Sequence, residues 1–264
     1  MIALGVDLGS RTTKAALLAN GAIRRRAVVP TGWDPRAAAL RARDAVLAEE
    51  GIAAPSIGAV VATGYGRVTV PFEARAVTEI TCHAAGLHRV LPEVRTVIDV
   101  GGQDCKVIRV DRFGLVADFA MNDRCAAGTG RFLEFMAAGM EVPLPEFARL
   151  GVEGQDPADL SSICTIFAES EVLSLLAEGR AIPDVVAGLH RAIARRIVAL
   201  ASGVGVAPPV AMTGGGALNG ALRRHLADLL RTEILVPDHP QTIGAEGAAF
   251  LALTHPGPGP EPPV

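Results

Sequence analysis

Two stretches of eight residues carry the same chemistry at the same spacing. Asp7 to Lys14 reads D-L-G-S-R-T-T-K, and Asp99 to Lys106 reads D-V-G-G-Q-D-C-K, with Asp, Gly and Lys at matching places. A carboxylate, a glycine turn and an ammonium in this order suit a phosphate chain. The glycines let backbone N–H groups approach the ligand, and the ammonium meets its charge. The chain has 25 Lys plus Arg, yet Lys14 and Lys106 are its only lysines. An ammonium is a compact point charge with rotatable donors, whereas guanidinium is a planar fork, so lysine at both turns points to that geometry. A third glycine run, Gly214-Gly215-Gly216 within M-T-G-G-G-A-L-N (Met212 to Asn219), also follows an apolar strand pattern. Strand, glycines, helix is an arrangement for phosphate or nucleoside approach. Asp7 and Asp104 are candidate holders of Mg2+, which takes one or two carboxylates with phosphate oxygens and waters. No G-x-x-x-x-G-K-[ST] is present, which excludes a P-loop.

The candidate nucleotide-binding set is Gly9, Ser10, Arg11, Thr12, Thr13 and Lys14 in the first turn and Gly101, Gly102, Gln103, Asp104 and Lys106 in the second. Gly128, Thr129, Gly130, Gly214, Gly215, Gly216, Asn219 and Gln241 complete it. Asp7, Lys14, Gln103 and Asp104 form the candidate catalytic group.

The elements that must position these residues follow from pattern. Ile2 to Val6, Thr13 to Leu18 and Ala22 to Pro30 read as three antiparallel strands, with Asn20-Gly21 as a hairpin turn. Trp33-Asp34-Pro35 offers an N-cap with proline at the first helical position, for a helix ended by Gly51. A buried strand, Ile57 to Thr63, runs into Gly64-Tyr65-Gly66-Arg67, and Thr78 to Leu91 is a helix carrying Glu79, Cys82, His83 and His88. The second half opens the same way: strands at Val97 to Val100, Lys106 to Val110 and Leu115 to Phe119, then a helix from Gly128 to about Met140. Helices follow at Pro145 to Leu150, after Cys164 to Gly179, and Asp184 to Val204. A strand at Pro209 to Thr213, a helix at Leu218 to Leu230, a strand at Glu233 to Val236 and a closing helix at Gly244 to Leu253 finish the pattern. A repeated strand–turn–strand unit predicts a duplicated α/β fold with the glycine turns of two halves around one nucleotide. The expected division is residues 1–94, residues 95–253 and a Pro/Gly tail, 254–264, expected to be disordered.

Half of the residues are hydrophobic and the formal net charge is −3, so a large core is within reach and nucleic-acid binding is not indicated. No apolar run reaches about eighteen residues, so no membrane span is expected. The N-terminus goes directly into a strand without a charged leader, which reads as cytoplasmic. Four cysteines, Cys82, Cys105, Cys125 and Cys164, contain no C-x-x-C and do not form a disulfide framework in such a chain.

At these glycine turns the chain resembles the superfamily of acetate and sugar kinases, heat-shock proteins and actin. Within it, N-D-R-C-A-A-G-T-G-R-F-L-E (Asn122 to Glu134) and S-S-I-C-T-I-F-A-E-S-E-V (Ser161 to Val172) closely resemble the activator proteins (component A) of 2-hydroxyacyl-CoA dehydratases, in the BadF/BadG/BcrA/BcrD ATPase family. A-T-G-Y-G-R (Ala62 to Arg67) and E-I-T-C-H-A (Glu79 to Ala84) match as well, and the resemblance covers about Ile2 to Leu253. It implies an actin-like ATPase fold and a homodimer with ATP in each protomer. It also implies one [4Fe–4S] cluster on the two-fold axis and one-electron transfer to an iron–sulfur dehydratase (component D), with a ferredoxin or flavodoxin as donor. Taken alone, a cysteine before a helix is ordinarily a small buried hydrophobe. The resemblance instead assigns Cys125 and Cys164 as metal ligands. Two thiolates per chain make half of a four-thiolate site, which a symmetric dimer completes. Arg131 and the Gly128-Thr129-Gly130 turn, close to Cys125, are candidates for coupling it to the nucleotide. Cys82 and Cys105 read as buried apolar groups, His83 as a core or surface histidine, and Glu134, Glu169 and Glu171 as solvated helix positions. The alternatives are an ATP-binding subunit of a benzoyl-CoA reductase, a cluster-free small-molecule kinase, and an ATP-dependent assembly module. One departure from the family pattern is Glu246 in G-A-E-G, where an apolar residue is expected.

Overall fold

The computed structural model describes residues 1–122, 129–160 and 165–254. Cys125, Gly128, Cys164 and the Pro/Gly tail lie outside the described residues. The chain divides into two compact units. One comprises Met1–Val94, Val110–Ala117 and the residues from Pro237 onward; the other comprises Arg95–Arg109 and Asp118–Val236.

The first sheet has the order β3-β2-β1-β4-β5, built from β1 (Ile2–Leu8), β2 (Thr12–Ala19), β3 (Ala22–Pro30), β4 (Ala59–Thr63) and β5 (Arg75–Ala76). Asn20 and Gly21 both take positive φ in the turn between β2 and β3, as the Asn-Gly pair predicts. β1 runs antiparallel to β2 and parallel to β4. Helix α1 (Pro35–Glu50) begins where Asp34 Oδ1 accepts the Ala37 N–H at 3.0 Å and ends at Gly51 in the left-handed region. Its Ala39, Ala42 and Val46 pack on Leu4, Val6, Leu8 and Leu17 of one sheet face. The other face, with Ala3, Ala16, Leu18 and Val61, packs on α8 (Ile243–Thr254) and on Cys82 of α2 (Glu79–Val90).

Helix α8 therefore belongs to the first unit, although it comes last in the chain and was expected in the second half. Its Ala/Gly-rich sequence is the reason. The backbone of Ala245 comes so close to Gly5 of β1 that a Cβ there would lie 1.9 Å from the Ala245 carbonyl oxygen. Glu246, the departure from the family pattern, is 1 % exposed and held by Arg26 of β3 through Nε at 2.7 Å and Nη2 at 3.3 Å, while the Thr242 hydroxyl donates at 2.7 Å. A buried carboxylate is tolerated when its acceptor sites are filled in this way.

The second sheet repeats the first in the order β10-β9-β6-β7-β8. Its strands are β6 (Thr96–Val100), β7 (Cys105–Val110), β8 (Val116–Asn122), β9 (Val210–Thr213) and β10 (Ile234–Leu235). Strand for strand, β6 to β10 correspond to β1 to β5. β5 and β10 are only two residues long, too short to show alternation; β10 was expected as a longer strand and β5 was not expected. Helices α3 (Gly130–Gly139), α4 (Leu144–Glu153), α5 (Thr165–Ala177), α6 (Ile182–Val204) and α7 (Gly220–Leu230) complete this unit. One core joins Ile98, Val100 and Val107 of the sheet to Phe132, Leu133 and Met136 of α3, Phe147 of α4, Ala168 and Val172 of α5, and Leu189 and Ile193 of α6. No helix among the described residues is long and apolar enough to cross a membrane.

Candidate nucleotide site

In the first unit, the β1–β2 register puts Asp7 directly opposite Lys14. Lys14 Nζ donates to Asp7 Oδ2 at 3.0 Å, and Asp7 is only 5 % exposed. The Gly9–Thr12 turn between them is fastened from β3. Thr31 Oγ1 donates to the Gly9 carbonyl at 2.8 Å, so the 3.0 Å contact between the Thr13 and Thr31 hydroxyls has Thr13 as donor. The Thr31 N–H also donates to the Arg11 carbonyl. These bonds hold Ser10, Arg11 and Thr12 at the open end of the hairpin. Thr31 was not among the expected site residues, and only its position at the end of β3 marks it.

The second unit repeats the pair. Asp99 lies opposite Lys106, with Nζ to Oδ2 at 3.4 Å, and Lys106 also reaches Asp104 Oδ2 at 2.9 Å. Asp104 keeps more solvent contact, its side chain 27 % exposed against 3 % for Lys106. Asp99 is the counterpart of Asp7 and was missed as a site residue. The matched Asp–Lys spacing was the signal for it. Gln103 is exposed at the tip of the turn.

Each unit then closes over its carboxylate with a Thr-Gly step that only the sheet brings there. β4 and β9 run parallel to β1 and β6, with Thr63 beside Asp7 and Thr213 beside Asp99. Gly64 and Gly214 follow with φ of 91° and 79°. A Cβ would lie 2.5 Å from Asp7 Oδ1 at Gly64, and 2.4 Å from the Val100 carbonyl oxygen and 2.8 Å from Asp99 Oδ1 at Gly214. No side chain fits at either place, and both backbones need the conformation that glycine supplies. Gly66 and Gly216 stack in the same manner on Leu8 and Val100. A-T-G-Y-G-R is thus the first-unit partner of M-T-G-G-G, and the chain has four glycine turns of this kind rather than three. The Thr213 hydroxyl donates to Asp99 Oδ1 at 2.9 Å.

Helix α3 starts on the second turn. The Gly130 N–H donates to the Gly101 carbonyl and the Arg131 N–H to the Gly102 carbonyl, both at 3.0 Å. Thr129 is fully buried at this junction. The expected residues Thr129 and Gly130 are therefore brought to the glycine turn, and α3 in turn packs on α5.

Asn219 and Gln241 are placed differently. The Asn219 side chain caps α7 by accepting the Leu222 N–H at 3.0 Å, and its Nδ2 donates to His190 Nε2 at 3.0 Å. His190 Nδ1 faces the Val186 carbonyl at 2.8 Å, which can only accept, so the ring is the neutral Nδ1–H form. Burial pushes the His190 pKa down to about 4, in keeping with that form. The polar atoms of Asn219 are thus engaged in holding the fold. Gln241 is half-buried in the turn before α8, in the first unit. Cys82 and Cys105 are buried free thiols: burial pushes Cys82 up to about 12 and Cys105 further above the usual thiol range.

Chemically, each unit offers carboxylate oxygens, an ammonium group and glycine turns too tight for any side chain. Hard oxygen donors fit Mg2+, and the bare backbone fits phosphate.

A sequence profile of the BadF/BadG/BcrA/BcrD ATPase family matches residues 4–252. The 2-hydroxyisocaproyl-CoA dehydratase activator of Clostridioides difficile is 42% identical over 254 residues, 96% of this chain and 95% of its own. Its solved structure with bound ADPNP superposes with a TM-score of 0.90. The activator of lactoyl-CoA dehydratase of Anaerotignum propionicum is 43% identical over 252 residues, 96% of this chain and 97% of its own. One subunit of the benzoyl-CoA reductase of Thauera aromatica is 30% identical over 267 residues, 94% of this chain and 92% of its own.

Proposed function

The chain belongs to the BadF/BadG/BcrA/BcrD ATPase family, and on that premise we propose that it is the ATP-hydrolysing activator of a 2-hydroxyacyl-CoA dehydratase. In this reading it works as a cytoplasmic homodimer. It receives an electron from a ferredoxin or flavodoxin and passes it to an iron–sulfur dehydratase (component D).

Lys14 and Lys106 meet the phosphate charge, and the amides of the glycine turns bind phosphate oxygens. Asp7 in the first unit and Asp104 in the second are the carboxylates that would offer oxygens to Mg2+, which would neutralise phosphate charge, and Asp99 keeps Lys106 in place. Gln103, exposed at the turn tip, faces the nucleotide. Cys125 and Cys164 are the residues that would hold a [4Fe–4S] cluster, which would supply a one-electron carrier.

The observation that carries this reading is the bonding of α3 to the second glycine turn. Gly101 and Gly102 accept from the first two amides of the helix that follows Cys125. A turn that shifts with its nucleotide pulls on the start of that helix through two backbone bonds. Changes in helix dipole and hydration near a cluster alter its potential. A one-electron shift of about 0.3 V is roughly 7 kcal/mol, a scale that ATP hydrolysis can supply.

The test is an oxygen-free preparation with iron and sulfide analysis and electron paramagnetic resonance before and after ATP. The expected result is one cubane per dimer, a spectrum that changes with ATP, and loss of iron in Cys125→Ala and in Cys164→Ala. An iron-free protein that phosphorylates a small metabolite would replace this reading with that of a kinase. Activity with an aromatic acyl-CoA reductase alone would replace it with the benzoyl-CoA reductase type.

A further inference from the structure

The first sheet is incomplete at one edge. β5 begins level with Val61 of β4, so Ala59 and Val60 have no strand beside them on the side away from β1 among the described residues. A cavity of about 340 Å3 lies there, lined by Ala59, Val60 and Val61 together with Arg75 of β5. That volume falls in the range of small-molecule sites. Ile57 and Ala252 add apolar wall, and Phe72 lines the cavity with the Arg43 guanidinium 5.1 Å from its ring centroid. Arg43 and Arg75 both border this space, but their charges are treated differently. Arg43 is neutralised, because Nε and Nη2 both lie 2.7 Å from Asp44 Oδ1. Arg75 is half-buried, and its one hydrogen bond among the described residues runs from Nη2 to the Leu251 carbonyl of α8 at 3.0 Å. Its Nε–H is buried without an acceptor. Glu73 also lines the cavity, but it is exposed and forms no ion pair among the described residues. A half-buried guanidinium that lacks both an acceptor and a counter-charge is costly to keep.

We propose that this cavity binds a small organic carboxylate, with the carboxylate on the Arg75 guanidinium and an apolar body against Ile57, Val60 and Phe72. The carboxylate accepts from N–H groups of the fork that have no partner, and it supplies the missing counter-charge. The bond to Leu251 holds the guanidinium before the ligand arrives, which lowers the ordering cost of binding. The apolar body displaces water from walls that offer it no hydrogen bonds. A bare inorganic anion matches the charge alone and leaves those walls wet. The site uses the start of β4, whereas Thr63 and Gly64 at the end of the strand close over Asp7. Acid and nucleotide therefore bind together rather than in competition.

The probe is hydrocinnamate, titrated into the full chain and followed by ligand-observed NMR. Its amide serves as the uncharged counterpart, and inorganic phosphate as an anion without an apolar body. The acid is expected to bind with a Kd of about 1 mM or tighter, and the amide and phosphate at least about tenfold more weakly. Arg75→Gln keeps a donor for the Leu251 carbonyl and removes the charge. Acid affinity should then fall about tenfold or more, while that of the amide stays unchanged. Arg43→Gln should stay within about threefold, because Asp44 already neutralises that arginine. Saturating ADP with Mg2+ should leave acid binding as it was. Far-UV dichroism checks that both variants fold, and the comparison of acid with amide needs no variant. An unaltered chain that ignores the acid, or binds acid, amide and phosphate alike, would overturn the proposal. So would full affinity in Arg75→Gln or displacement of the acid by ADP. The ATP-site reading stands or falls separately, on whether ADP itself binds.

Discussion

Removing the ammonium of Lys106 is the most demanding test of the duplicated site. Lys106 lies between Asp99 at 3.4 Å and Asp104 at 2.9 Å, with side-chain exposures of 3 % for Lys106 and 5 % for Asp99. Lys106→Met keeps most of the stem and removes the charge. Asp99 then loses the ammonium at its Oδ2 while the Thr213 hydroxyl still donates to its Oδ1. Breaking a buried ion pair from one side costs about 3–5 kcal/mol, because the surviving charge has lost its counter-charge while still held out of water. Asp104 is partly exposed and rehydrates, so its share is within about 1 kcal/mol. The Thr213 bond offsets about 1 kcal/mol. The expected loss is therefore about 3 kcal/mol, and Tm falls by roughly 6–12 °C. Asp99→Asn in the same chain removes the stranded charge and should restore all but about 1 kcal/mol, while nucleotide affinity stays lost. Lys14→Met, whose side chain is already 14 % exposed, should cost less, about 1–2 kcal/mol. Urea unfolding followed by far-UV dichroism supplies the energies. Trp33, the only tryptophan, belongs to the first unit and supplies a separate fluorescence probe. A Lys106→Met loss below about 1 kcal/mol, or a double variant no more stable than the single one, would refute the account of a charge held in place by its partner.

Two further outcomes follow from the same geometry. The His190 pKa is pushed down to about 4, below its ordinary value near 6.5, so the unfolded chain takes the proton first as pH falls. Stability from this group is complete above about pH 6.5 and is lost between about 6.5 and 4, by roughly 3 kcal/mol. Urea midpoints measured across that window should slope in the unaltered chain and flatten in His190→Gln. Gly214→Ala combines a φ of 79° with a Cβ 2.4 Å from the Val100 carbonyl oxygen and should cost about 3 kcal/mol or more and abolish nucleotide binding. Gly179→Ala, with a φ of 85° but nothing within 4 Å, should cost only about 1 kcal/mol by thermal unfolding and leave binding intact.

What could be read before folding was whatever lies within one hairpin or one helix. Asp7 and Lys14 are seven residues apart on adjoining strands, as are Asp99 and Lys106, so their pairing is written in the spacing itself. The Asp34 cap, Pro35 and Gly51 delimit α1 by local backbone bonding alone. The repeated Asp-x-Gly turn therefore announced the duplicated fold, and the cysteine-flanking motifs announced the family. Tertiary structure decided everything that depends on parallel pairing. β4 reaches β1, and β9 reaches β6, only after a long crossover that leaves no mark in nearby residues, so the closing of Gly64 over Asp7 and of Gly214 over Asp99 was not legible. The same holds for α8 joining the first unit, for Arg26 meeting Glu246, for Asn219 being held by His190, and for α3 hanging from Gly101 and Gly102. For α8 the cause is close apolar packing; in the other cases a polar group found its partner far along the chain because burial leaves no water to serve instead, and both requirements act on the folded core rather than on the sequence window.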